Sequence, residues 1–397
     1  MNRLLIDLRK NEKRGERAKT TFRAIFALLM IEALIINAGC TLTPNSPATL
    51  PTATLRSGAQ VLTADEIATL SSLEQLDEFP LYTMRYQGTY STPILSTIDP
   101  RLAASTELAF TNMQQAIWGC SLFAALGDPD QRLYGRNFDW RPSPALLLFT
   151  DPPDGYASAA MVDMEYLGFT GSRAKNLLDL PLDKRQALLD APVLPFDGMN
   201  EKGLAIGMAA VPASEIHPDP DKKTIDQLAV IREILDHAST VDKAVNILGS
   251  YNIDMGSVPL HYLVSSAMGN SALVEFYQGK MAVFRNEAPW QLATNFLVTS
   301  TGGHPQGQCP RYDRISQRMQ ASEGQLSVAE ALSLLREVSQ DNPGGQSDTQ
   351  WSVVYDMTAG EVNIVMGRKY AGGAHNLKLS RPGLLYTFPL KLINPLH

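Results

Sequence analysis

Residues 120–140 read CSLFAALGDPDQRLYGRNFDW. Two runs of apolar and β-favouring residues flank Gly-Asp-Pro-Asp, a turn-forming tetrapeptide, so the stretch predicts a β-hairpin that starts at Cys120. Its second arm carries Arg136, Asn137 and Asp139. A nucleophilic thiol needs a base, and the six histidines, at 217, 237, 261, 304, 375 and 397, show neither partner nor metal-ligand spacing. His261, in PLHYLVSS, reads as a strand residue with a satisfied ring. The base available without a histidine is the α-amino group of the cysteine itself, whose reference pKa of about 7.7 to 8.0 leaves a usable neutral fraction. That amine exists only if the bond between Gly119 and Cys120 is cut. Gly119 suits such a cut, because it has no side chain to crowd attack of the Cys120 thiol on its carbonyl.

The rest of the chain is consistent with an enzyme of small molecules. Its 397 residues are 44% hydrophobic and 19% charged, with 28 Gly and 25 Pro, a globular profile with ample length for a core. A formal net charge of −7 argues against a nucleic-acid partner, since phosphate binding needs clustered Lys and Arg. The three cysteines, Cys40, Cys120 and Cys309, are too few and too scattered for a disulfide scaffold. Motifs of the GxSxG, HExxH and P-loop types are missing, and no metal or cofactor is expected.

Residues 1–40 read as an export segment: eight basic residues by position 23, the apolar run AIFALLMIEALII, then Asn-Ala-Gly-Cys. Ala38, Gly39 and Cys40 resemble the end of a bacterial lipoprotein signal, in which Cys40 is lipidated; Asn37 departs from it. Residues 41–60 are rich in Pro, Thr and Ser and read as an extended linker holding a folded body off a membrane. The expected location is thus outside the cytoplasm, anchored on the outer side of the cytoplasmic membrane or in the periplasm. Residues 61–119 form a pro-segment, and whether it stays bound after cleavage is left open, as is oligomeric state. Residues 120–397 form the catalytic domain.

Within these limits, Thr63 with Glu66 predicts a capped helix running through TADEIATLSSLEQLDEF, with Ile67, Leu70, Leu73 and Leu76 on one face. Further helices are predicted at TIDQLAVIREILDHA, capped by Thr224 with Gln227, at TVDKAVNILG, and at SVAEALSLLREVSQ, capped by Ser327 with Glu330. Strand patterns at ALLLFTD, YASAAMVDMEYL, GLAIGMAAV, LHYLVSSA, SALVEFYQ, KMAVFRN, WQLATNF, QWSVVYDM and EVNIVMG cluster between them, which makes the class α+β.

Four stretches in order, Cys120–Trp140, DGMNEKGLAIG (197–207), ATNF (293–296) and CPRYDR (309–314), resemble the choloylglycine hydrolase family with its penicillin V acylases. The first is also similar to acid-ceramidase-like amidases. The resemblance implies a four-layer αββα sandwich of the N-terminal-nucleophile hydrolase type that cleaves linear amide bonds. It makes Cys120 the nucleophile, Arg136 the arginine beside it, Asp139 the carboxylate for the free amine, Asn295 an oxyanion donor and Arg311 the second site arginine, with Arg314 a nearby competitor. Cys309 reads as a buried thiol. Ala210 stands where bile-salt hydrolases have Asn and penicillin V acylases Tyr; its main-chain N–H can still serve the oxyanion, but its side chain selects no substrate. The long pro-segment with LYTMRYQGTY (81–90) is similar to that of acid-ceramidase-like members, so apolar acyl chains are expected, with Phe138 and Trp140 as aromatic neighbours. A non-catalytic exported lipoprotein that binds a small ligand is the reading of the other class.

Overall fold

The computed structural model describes residues 61–92, 94–95, 119–170, 176–256, 258–342, 347–379 and 391–393. The export segment with Cys40, the linker and residues 96–118 of the pro-segment lie outside these. No helix among the described residues is long and apolar enough to cross a membrane.

The predicted hairpin is present: strand Ser121–Ala125 pairs antiparallel with Leu133–Trp140, Leu122 opposite Arg136. It sits inside a seven-stranded sheet ordered Trp290–Ala293, Ser121–Ala125, Leu133–Trp140, Asp348–Asp356, Glu361–Met366, Ala374–Lys378 and Lys391–Ile393. A second sheet has nine strands, in the order Glu74–Asp77, Leu81–Arg85, Ala145–Thr150, Ser158–Asp163, Asp197–Asn200, Leu204–Ala210, Leu260–Ser266, Ser271–Tyr277 and Lys280–Arg285. Its neighbours are antiparallel except Leu81–Arg85 with Ala145–Thr150.

Alternation along the strands explains why there are four layers. In Ser121–Ala125, Leu122 and Ala124 face the nine-stranded sheet, in one buried cluster with Ile206, Met208 and Val264. Phe123 and Ala125 point the other way, into a second cluster with Ile315, Met319, Leu332 and Leu335 of the helices Pro310–Ala321 and Val328–Glu337. A strand buried on both faces reads as a continuous apolar run, as SLFAAL does. Helices Ala229–His237 and Val241–Ser250 cover the far face of the nine-stranded sheet. The fold is the αββα sandwich that the resemblance implied.

Helix ends follow local chemistry more often than they follow the apolar period. Thr63 and Glu66 form their capping box, as do Ser327 and Glu330. The first helix nevertheless stops at Ser71 rather than running through Phe79. Ser72 Oγ accepts the Arg85 N–H and donates to the Thr69 carbonyl, and Glu74–Asp77 then joins the sheet as a strand. Thr224 does not cap a helix: Thr224–Asp226 pairs in a small sheet with Asn252–Asp254, and Asp226 Oδ1 receives the Leu228 and Ala229 N–H groups where the helix begins.

Residues 61–92, expected to belong to a pro-segment, are interleaved with the rest of the fold. Leu81, Tyr82 and Met84 are fully buried, and the Tyr90 hydroxyl donates to the Asp236 carboxylate, with its ring beneath the buried Arg232 guanidinium.

Candidate active site

Cys120 lies at the start of the hairpin, 1% exposed, its side chain on the face that meets the nine-stranded sheet. The strand period of two puts Arg136 on the same inner face one strand away, and Arg136 Nη2 donates to Cys120 Sγ at 3.9 Å. Arg136 is itself fully buried. Its Nη1 donates to the Phe196 carbonyl at 2.6 Å and pairs with Asp197 Oδ2, so the pair bridges the two sheets. Asp197 Oδ1 accepts the Tyr355 hydroxyl at 2.5 Å, and Oδ2 accepts the Trp351 indole N–H at 3.4 Å. Burial pushes the Cys120 thiol up, and Arg136 opposes the shift. Burial likewise pushes Asp197 up against the pull of Arg136 and its hydroxyl and indole donors.

Arg311 reaches the same residue from outside. Pro310 opens the helix Pro310–Ala321, and Arg311 projects from its first turn into the site. Its Nη1 donates to the Cys120 carbonyl at 2.5 Å and to Ser121 Oγ at 3.0 Å, while Nη2 donates to Asn295 Oδ1 at 2.9 Å. Arg314 is on the outer face, paired with Glu337. Of the two arginines, Arg311 contacts the hairpin; Arg314, almost one turn further along and about 60° round the helix, meets Glu337 instead.

Asn295 is the joint between layers. With the Gly119–Cys120 peptide bond in place, its Oδ1 accepts the Cys120 N–H at 2.8 Å and its Nδ2 donates to the Ala210 carbonyl at 2.8 Å. Its loop is held by buried Glu275, whose carboxylate accepts the N–H groups of Val298 and Thr299 and the Thr299 hydroxyl. Glu275 also faces His261 Nδ1 at 3.4 Å; that histidine is a buried strand residue, as predicted, but its ring is satisfied on one side only, since the buried Nε2 has no hydrogen-bond partner among the described residues.

Asp139 is fully buried at the end of its strand. Thr349 Oγ1 donates to its Oδ1 at 2.5 Å, Gln340 Nε2 to its Oδ2 at 2.9 Å, and Arg311 Nη1 stands 4.0 Å away. Burial dominates and pushes its carboxyl up to about 6, against Arg311, Thr349 and Gln340. The same Gln340 Nε2 donates to the Gly119 carbonyl at 3.1 Å.

The aromatic candidates divide. Phe138 is 1% exposed, stacked on Trp351 with centroids 4.1 Å apart and edge-on to Phe196. Trp140 is half-buried at the strand end, below the Arg141 guanidinium. Ala210 is buried, and the strand that carries it also brings Met208 Sδ to 3.8 Å from Arg136 Nη2. Cys309 is buried and forms no disulfide.

The structure thus brings Cys120, Arg136, Asp139, Asn295, Ala210 and Arg311 together from both sheets and one helix. Three further residues complete the site. Asp197 stands in the quoted DGMN motif directly after the apolar run VLPF, and a carboxylate buried there needs a cation. Gln340 and Thr349 carry no local signal; they are about 200 residues from their partners in sequence.

Comparison with known proteins bears on the family likeness and on the fold. The model of the linear amide C–N hydrolases, choloylglycine hydrolase family, matches residues 185–295, a span with Asp197, Ala210 and Asn295 but without the Cys120 hairpin. A penicillin V acylase of Pectobacterium atrosepticum is 25% identical over 214 residues, 50% of this chain and 54% of that protein, so the chain spans about half the length of this relative. Crystal structures of two variants of a conjugated bile acid hydrolase from Clostridium perfringens superpose with TM-scores of 0.50 and 0.51 at 16% identity, covering 70% of this chain and 97% and 98% of theirs. In its motifs and in its matched segment the chain is similar to the choloylglycine hydrolase family of linear amide C–N hydrolases, and its fold is the αββα sandwich of those structures.

Proposed function

We propose that the chain is an amidohydrolase of linear amide bonds that works through Cys120 as an N-terminal nucleophile, after cutting its own Gly119–Cys120 bond. The observation that carries this reading is that both ends of that bond are hydrogen-bonded beside the thiol: the Cys120 N–H donates to Asn295 Oδ1, the Gly119 carbonyl accepts from Gln340 Nε2, and Arg136 donates to the thiol. Once cut, the free amine accepts the thiol proton, Sγ attacks the substrate carbonyl carbon, and the amine returns the proton to the leaving nitrogen. Water then hydrolyses the thioester. Arg136 stabilises the thiolate and Asp139 holds the ammonium form of the amine. Ala210 offers only a small methyl group beside Asn295, which favours N-acyl amides with apolar acyl chains over a substrate held by a polar side chain at this position.

Because Leu81–Arg85 is a buried strand of the nine-stranded sheet, residues 61–95 would stay with the cleaved enzyme as a non-covalent subunit. We infer, too, that the N-terminus exports the chain and anchors it through a lipid on Cys40.

Mass analysis of the purified protein tests the reading. A chain starting at Cys120, present in wild type and missing in Cys120→Ala, is expected, with hydrolysis of N-acyl amides by the wild type alone. The substrate panel should include fatty-acid amides, acyl-homoserine lactones, penicillin V and conjugated bile acids. An uncut chain that hydrolyses none of them but binds one would establish the ligand-binding lipoprotein instead. Labelling with a fatty-acid analogue should mark the wild type and not Cys40→Ala.

A further inference from the structure

Gln340 takes no part in the proposed turnover, yet its side-chain amide donates to the carbonyl of the scissile bond. It follows the helix Val328–Glu337, and its own backbone is fastened at both groups: its N–H donates to Thr349 Oγ1 at 2.8 Å and its carbonyl accepts the Thr349 N–H at 3.2 Å. The two hydrogens of its side-chain amide have separate acceptors, the Gly119 carbonyl at 3.1 Å and Asp139 Oδ2 at 2.9 Å. Gly119 is equally constrained from the other side. A Cβ built on it would lie 1.2 Å from Gln340 Nε2, so any side chain at 119 must push the amide off the carbonyl.

We propose that Gln340 is the oxyanion donor for the maturation cut. The proposal rests on the reading that the chain cleaves itself at Gly119–Cys120. Cys120 Sγ attacks the Gly119 carbonyl carbon, and the carbonyl oxygen takes up the negative charge while Gln340 Nε2–H donates to it. The C–N bond then breaks, its electron pair staying on the Cys120 nitrogen, which also receives the proton lost by the thiol. The product is a Gly119 thioester with a free α-amine. Water hydrolyses the thioester to the Gly119 carboxylate and the free thiol. Asn295 cannot donate to this carbonyl as placed, because its Nδ2 is turned to the Ala210 carbonyl and its Oδ1 holds the Cys120 N–H. Maturation therefore has a donor of its own, and the need for it explains Gly119.

The test follows cleavage of the full chain, made by pulse-labelled cell-free translation, with the new N-terminus identified by mass. Gln340→Met keeps length and bulk but has no N–H; it and Gln340→Ala should slow the cut on the order of a hundredfold. Hydroxylamine, which cleaves thioesters, should not restore the rate, because the slowed step precedes the thioester. Gly119→Ala should be comparably slow, and Gly119→Ala/Gln340→Ala no more than about threefold slower than Gln340→Ala, since both changes remove one interaction. Denaturation in the uncleavable Cys120→Ala background reports whether each variant is folded. Wild-type cleavage accompanied by near-wild-type cleavage of folded Gln340→Met overturns the proposal alone, as do multiplying penalties in the double variant or full rescue by hydroxylamine. A wild type that stays uncut, or is cut elsewhere, overturns the self-cleavage reading as well.

Discussion

Arg136 and Arg311 both reach Cys120, the first from inside the sandwich and the second from the outer helix layer, and they are held in different ways. Arg136 has no exposed surface; its charge is balanced by one carboxylate, Asp197, which is itself fixed by a tyrosine and a tryptophan. Its free side faces two sulfurs, the Cys120 thiol and the Met208 thioether. Arg311 keeps 15% of its side chain exposed and spreads its donors over the Cys120 carbonyl, Ser121 and Asn295, with Asp139 at the edge of pairing distance. The inner arginine is thus a fixed charge whose loss is a matter of stability as well as chemistry. The outer one positions backbone and amide groups, and water can replace part of what it does.

The largest expected effect comes from unbalancing the inner pair. Asp197→Ala leaves Arg136 buried and uncompensated, which should destabilise the chain by about 3 to 5 kcal/mol. Urea denaturation in the Cys120→Ala background measures it, and a loss below about 1 kcal/mol would erase the distinction between the arginines.

Arg311→Ala should reverse the proportions. We expect kcat of the cleaved enzyme on its best amide to fall on the order of a hundredfold with little loss of stability. Arg311→Lys should recover little of it, because a single ammonium cannot reach the Cys120 carbonyl and Asn295 together as the planar guanidinium does. A stability loss equal to that of Asp197→Ala would put both arginines in one class.

Asp139 sharpens the contrast through pH. Its carboxyl is harder to ionise in the folded chain, at about 6, than at its ordinary 3.8. The folded state therefore binds the proton more tightly. The stability this contributes is fully present below the unfolded value and is lost as pH rises through about 6. Uncut Cys120→Ala protein should thus lose stability from pH 4 to about 6 relative to Cys120→Ala/Asp139→Asn, which has no carboxyl to titrate. Parallel profiles for the two would show that Arg311 offsets burial completely.

The smallest effect concerns the other fully buried arginine, Arg232, which pairs with Asp236 and lies over the ring of Tyr90. Tyr90→Phe removes one hydroxyl donor to a paired carboxylate but keeps the ring, and should cost about 1 kcal/mol. The cleaved N-terminal piece should still copurify with the rest. Its loss on gel filtration would mean that the hydroxyl, rather than the Leu81–Arg85 strand, holds the segment.

Much of this was legible in the chain. The turn at Gly127–Asp130, the β-favouring run RLYGRNFDW and the capping boxes at Thr63 and Ser327 act over a few residues, and each formed where local chemistry predicts it. Cys120, Arg136, Asp139, Asn295 and Arg311 were readable because motifs carry them. Other features depended on contacts made far along the chain. Ser72 ends its helix because Arg85 arrives as a strand; Arg311 outranks Arg314 because only it faces the hairpin. Asp197 becomes the counter-charge of Arg136 only when two sheets stack, and Gln340 meets Gly119 across 221 positions only when the outer helix layer is in place. Sequence by itself determined the hairpin, its cysteine and the donors named by motif, since these follow from propensity and residue type. Tertiary structure alone decided which charges are balanced and which carbonyl each donor meets, because a hydrogen bond and a buried ion pair depend on distances of about 3 Å that only packing sets.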